Sequence, residues 1–86
     1  MRRKVHTPNF LRRLASFVQR HPNLEEKARE AVSRVVEGDP HLRIHTLHGL
    51  LKGFYATRIT QSFRLVFALE PDAVIFIDIG SHDEVY

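Results

Sequence analysis

Apolar residues recur at helical spacing in the first half of the chain and at every second position in much of the second half. In TPNFLRRLASFVQRH, Leu11, Leu14, Ala15 and Val18 share one side of a helix that Thr7 caps and Pro8 opens. NLEEKAREAVSRVVEGDP begins with a capping-box pattern, Asn23 to Glu26, and carries Ala28, Ala31, Val32, Val35 and Val36 as one stripe before Gly38 and Pro40 end it. So short a connection through Pro22 makes the pair an antiparallel helical hairpin, with Glu25/Arg29 and Glu30/Arg34 as solvated pairs one turn apart.

After Gly53 the period changes to two. FYATRIT, FRLVFAL and AVIFIDI are rich in aromatic and β-branched residues, and QS and EPD between them suit hairpin turns. RKVH can add an edge strand. The expected architecture is α+β, a single domain over residues 1–86 in the order β-α-α-β-β-β, with the helical hairpin covering one face of a small antiparallel sheet. If Gln61 and Ser62 form a two-residue turn, Ile59 pairs with Arg64 and Arg58 with Leu65, so the two arginines point to opposite faces. Phe54, Phe63, Leu65 and Phe67 then read as the helix-covered face, which leaves Arg64 on the open one.

Composition narrows the chemistry. The chain has no cysteine, so disulfides are excluded and the available metal ligands are histidines and carboxylates. No apolar run reaches membrane-spanning length and MRRKVHTPNF lacks the core of a signal peptide, so the expectation is a cytoplasmic protein without a membrane partner. The net charge of +3 is modest but unevenly placed. No acid precedes Glu25, where Arg2, Arg3, Lys4, Arg12, Arg13 and Arg20 lie, and none falls between Asp39 and Glu70, a span holding Arg43, Lys52, Arg58, Arg64, His41, His45 and His48. Such a surface suits RNA, DNA or an acidic protein; ordinary solubility charge is the plain alternative.

Three motifs complete the pattern: L-x-G-x-x-K-G at Leu47–Gly53, R-I-x-x-x-x-R-L at Arg58–Leu65, and the G-S-H ending at Gly80–His82. With the helical hairpin before them, they resemble the RelE/ParE superfamily of small toxins from type II toxin-antitoxin systems, and its ribonuclease branch more than its gyrase-poisoning branch. The resemblance spans nearly the whole chain. It implies a metal-independent endoribonuclease acting on mRNA, on the ribosome or free, without a cofactor and restrained by a cognate antitoxin. The antitoxin's acidic, folding-on-binding segment would suit the acid-free first helix. By position the resemblance assigns His45, Arg64, His82 and Tyr86 as catalytic, and Arg58, Lys52 and Arg43 as phosphate ligands. Some relatives carry a glutamate in place of His45, and others an aspartate and a tryptophan in place of Ser62 and Phe63.

The chemistry is consistent with that assignment. A ribose 2′-OH attacking its own phosphate needs a proton acceptor, a cation for the growing charge and a proton donor for the leaving 5′-oxygen; histidine serves either proton role near neutral pH. Plainer readings stand beside it. Arg64 can be a solvated strand arginine, His82 can bond within its own turn, and His41, His45 and His48 have the spacing of zinc ligands only if Pro40 and Gly49 permit a helix. A non-enzymatic toxin that binds DNA gyrase, or an inactive member of the superfamily, is the alternative function.

Overall fold

The computed structural model describes residues 2–86. It contains the expected β-α-α-β-β-β series and adds a two-residue strand, β2, and a C-terminal helix, α3: β1 (Arg3–His6), α1 (Pro8–Arg20), a 3-10 turn at Pro22–Leu24, α2 (Glu25–Glu37), β2 (His45–Thr46), a 3-10 turn at Gly49–Leu51, β3 (Tyr55–Arg58), β4 (Phe63–Leu69), β5 (Ala73–Ser81) and α3 (His82–Val85). Five strands form one sheet in the order β1-β5-β4-β3-β2. The sheet is mixed rather than wholly antiparallel, because β1 lies parallel to β5 on its outer edge. Thr7 fixes that junction: its N–H and its hydroxyl both donate to the Phe76 carbonyl (3.2 and 2.8 Å), and the same hydroxyl accepts the Phe10 N–H as the α1 cap (3.1 Å).

The helix-side core joins Phe10, Phe17, Ala28, Ala31 and Val35 to Leu65, Phe67, Val74, Phe76 and Ile79. Each large apolar side chain buried there contributes about 1.5–3 kcal/mol. Helix α1 is rotated from its expected orientation, so that Phe10, Leu14, Phe17 and Val18 face inward while Leu11 is 50% exposed and Ala15 lies outside. The two phenylalanines, seven positions apart, bury more apolar area than Leu11 and Ala15 would and so set the helix face. The stripe of α2 is as expected, and Gly38 closes the helix in the left-handed conformation (φ 70°, ψ 40°).

Local expectations fail where a competing bond is available. The 3-10 turn places Leu24 at the start of α2 without a side-chain cap, so the Asn23–Glu26 box does not form. Arg29 pairs with Glu25 (2.6 Å), but Arg34 turns from Glu30 to Asp39 (2.8 Å). The β3–β4 connection is longer than two residues: the Thr60 hydroxyl accepts the Ser62 N–H (3.2 Å), and Ile59 donates to the Phe63 carbonyl (2.9 Å). The register therefore slips by one, and Arg58 pairs directly with Arg64. Both arginines occupy the same face by register, contrary to the two-residue-turn expectation.

A bulge in β5 shapes both faces. Val66 pairs with Asp78 and Phe67 with Phe76, which leaves Ile77 unpaired. The extra residue lets Phe76 and Ile79 both enter the helix-side core, while Ile77 packs on the opposite face with Ala56, Val66, Val85, Leu47 and Phe54. Phe54 thus belongs to this second cluster and not to the helix-covered one.

Candidate functional site

The carboxylates near the end of β5 hold arginines from α1. Asp78 accepts from Arg13 Nε (2.8 Å) and Glu84 from Arg20 Nη2 (3.1 Å), linking the first helix to the last strand and to α3. Arg13 and Arg20 are therefore already paired, and α1 offers an acidic partner fewer free cations than its sequence suggests. Ser81 and Glu84 form a reciprocal capping box: the Ser81 N–H donates to the Glu84 carboxylate (2.9 Å) and the Glu84 N–H to the Ser81 hydroxyl (3.3 Å). The sequence S-H-D-E carries that signature.

These bonds pull the Glu84 carboxyl from its usual 4.5 to about 2, the Ser81 N–H first and Arg20 next. Because the folded value lies below the unfolded one, the contribution is complete above about pH 4.5 and is lost as pH falls toward 2. The Tyr86 ring resonances are accordingly expected to shift in an acid titration over that window, and Glu84→Gln is expected to remove this step. A wild-type titration with no change between those limits would contradict the anchoring role.

With α3 so anchored, Val85 is buried against Ala56 and Val66, which sets the short helix on the sheet face opposite α1 and α2. Tyr86 donates its N–H to the His82 carbonyl (3.0 Å), and the two rings meet edge to face with centroids 4.4 Å apart. The Arg64 guanidinium carbon lies over the Tyr86 ring, 5.8 Å from its centroid. Arg64, His82 and Tyr86 thus form one contiguous group on the open face.

The other candidates gather beside it. His45 pairs with Ala56 on β3, and the Arg58–Arg64 pair continues the same face. Like charges directly opposed destabilise a strand pair, so this arrangement favours an anion between or above them. Among the described residues none of Arg43, Lys52, Arg58 and Arg64 makes an ion pair. Arg58 also borders an edge pocket of about 390 Å³ together with Arg34, His41, Leu42, Arg43, His45 and Thr57. The Thr57 hydroxyl holds that edge by donating to the Arg43 carbonyl (2.8 Å). One of its cations is compensated: Asp39 accepts the His41 N–H (2.9 Å) and pairs with Arg34, and those bonds lower its carboxyl below the usual range.

The candidates therefore fall into two neighbouring groups, His82–Tyr86–Arg64 and His45–Arg43–Arg58, joined by the Arg58–Arg64 pair. Lys52 stands apart on the exposed turn before β3. Among the described residues no three His, Asp or Glu side chains gather as metal ligands; His41 and His45 line the edge pocket, whereas His48 lines a different one. No helix of the described residues is long and apolar enough to cross a membrane.

No protein-family model matches the sequence, and no curated protein matches it. Solved structures do. E. coli YafQ superposes with a TM-score of 0.88 at 16% identity, over 100% of this chain and 99% of that one. A metal-bound toxin from Helicobacter pylori gives 0.83 at 21% identity, with 100% of both chains covered. The E. coli DinJ-YafQ toxin-antitoxin complex gives 0.83 at 18% identity over 99% of this chain and 97% of that one. From its mixed sheet to its capping helix, the chain has the RelE/ParE-like fold of the YafQ toxin.

Proposed function

We propose that the chain is the toxin of a type II toxin-antitoxin system, a RelE/ParE superfamily member that cleaves mRNA on the ribosome as a metal-independent endoribonuclease in the cytoplasm. The observation that carries this reading is the group of Arg64, Tyr86 and His82 on the open face of a YafQ-like fold. A cation, an aromatic ring and a proton-transfer group in mutual reach are what an RNA phosphate and its neighbouring base require.

In this reading His45 takes the proton from the ribose 2′-OH, the 2′-oxygen bonds to phosphorus, the bond from phosphorus to the 5′-oxygen breaks, and His82 protonates that oxygen. The products are a 2′,3′-cyclic phosphate and a free 5′-hydroxyl. Arg64, with Arg58, Arg43 and Lys52 around it, meets the added negative charge on phosphorus. Tyr86 stacks on a base or shares the acid role of His82. The partner that restrains the protein is an antitoxin, as DinJ is for YafQ. The paired Arg13 and Arg20 direct its acidic segment to cations outside that pairing.

The test is cleavage of mRNA by purified protein in EDTA, with and without ribosomes. Cutting is expected in EDTA, and faster with ribosomes present. Intact RNA under both conditions, from a protein that still arrests growth, would replace this reading with a toxin that acts by binding, as on gyrase.

A further inference from the structure

The most exposed large apolar side chain among the described residues adjoins the proposed site. Leu50 has a relative exposure of 104%, at the centre of the Gly49–Leu51 turn. Backbone bonds define that turn, Leu51 N–H to His48 carbonyl (3.4 Å), Lys52 N–H to Gly49 carbonyl (3.2 Å) and Phe54 N–H to Leu51 carbonyl (3.0 Å). Gly49 and Gly53 bracket it at φ 68° and 97°, where a side chain would be strained. Leu47 anchors its base in the open-face cluster. Between this turn and α3 lies a pocket of about 310 Å³, lined by Thr46, Leu47, His48, Leu50, Leu51 and Tyr86.

Tyr86 is shared: the ring that lines this pocket also carries the Arg64 guanidinium. The pocket-forming loop comes from the span between Asp39 and Glu70, which contains no carboxylate, and Lys52 follows the leucines directly. An apolar slot with cations and no acid in its own loop complements a flat, apolar group joined to an anion. We propose that the Gly49–Leu51 loop and Tyr86 form a nucleobase subsite, which takes an unpaired base of single-stranded RNA next to the phosphate held at Arg64. The inference rests on the RNA-cleaving reading above and adds a second point of contact with the substrate. Unpaired RNA fits because only splayed bases present a free face to such a slot.

Fluorescence anisotropy with a short, uncleavable 2′-O-methyl oligonucleotide tests it, using wild type and Leu50→Ser. Leu50 is fully exposed, so its replacement leaves the core intact. Leu50→Ser is expected to weaken binding roughly fivefold or more. The slope of log affinity against log salt stays unchanged, because no phosphate contact is removed. An abasic nucleotide moved along the oligonucleotide reproduces the loss in wild type at one position, where the variant loses nothing further. Salt-dependent wild-type binding that Leu50→Ser leaves unaltered would overturn the subsite while keeping the RNA reading. Unaltered RNA affinity with lost sedimentation on ribosomes would make the loop a protein-docking surface and overturn it as well. A wild type without RNA affinity at low salt overturns the subsite, while the cleavage reading then stands or falls on the assay with ribosomes.

Discussion

Arg64→Ala and His82→Ala are each expected to slow RNA cleavage by roughly 100-fold or more, with the fold unchanged. The magnitude comes from separate roles: a fixed cation facing the phosphorus charge contributes about 10²–10³-fold, and a positioned proton donor about 10²–10⁴-fold. Neither substitution removes a structural support. Arg64 makes no ion pair among the described residues, and the side chain of exposed His82 meets the Tyr86 ring, while the backbone bond from the Tyr86 N–H to the His82 carbonyl does not depend on that side chain. His45→Ala is expected to slow the reaction as the loss of the base. Arg29→Ala, which breaks only the outer Glu25 and Glu26 pairs on α2, leaves the rate as it was. Single-turnover rates on one RNA measure all four. Arg64→Ala or His82→Ala variants that keep more than a fifth of the wild-type rate would remove those residues from the reaction, and growth arrest unchanged in both would point to a contact poison.

The elements other than β2 and α3 were legible in the sequence because their signals are local. Thr7 and Pro8 start α1, Gly38 stops α2, and alternating aromatic and branched residues mark β4 and β5. Orientation was less legible, since it depends on which of two possible stripes buries more area. In α1 the larger apolar area of Phe10 and Phe17 outweighed that of Leu11 and Ala15, which lie on an overlapping stripe of the same helix. The direction of β1 was hidden for a similar reason, because RKVH can pair either way and β5 supplies the edge it meets.

Register was lost to one side chain. The Thr60 hydroxyl closes a turn on Ser62, lengthens the connection and brings Arg58 opposite Arg64, which reverses the expected division of those arginines between two faces. The resemblance that named Arg64, His82 and Tyr86 picked residues that do meet, but their support came from elsewhere. Ser81 and Glu84 had a readable capping signature, whereas Arg13 and Asp78 are 65 positions apart and nothing local connects them. His45 and Arg58 were chosen with the same group, yet they line the edge pocket beside it, because His45 lies on the edge strand β2, which pairs only with Tyr55 and Ala56 and leaves Arg58 uncovered at the sheet margin.

The second large effect concerns the substrate and bears on the chemistry itself. If the 2′-oxygen is the nucleophile, one deoxyribose at the cleaved position removes the attacking group while every phosphate and base contact stays in place. Binding is then expected to be nearly unchanged, whereas cleavage at that bond falls to background, far below the loss of about 10²–10⁴-fold for a missing proton acceptor. The most direct measurement is therefore paired cleavage, in EDTA, of an all-ribose RNA and the same RNA with a single 2′-deoxy substitution. Cutting of the first to leave a 2′,3′-cyclic phosphate, with the second intact at that bond, is the expected outcome; cutting of both at equal rates would contradict attack by the 2′-oxygen and, with it, the roles of His45, Arg64 and His82 in that step.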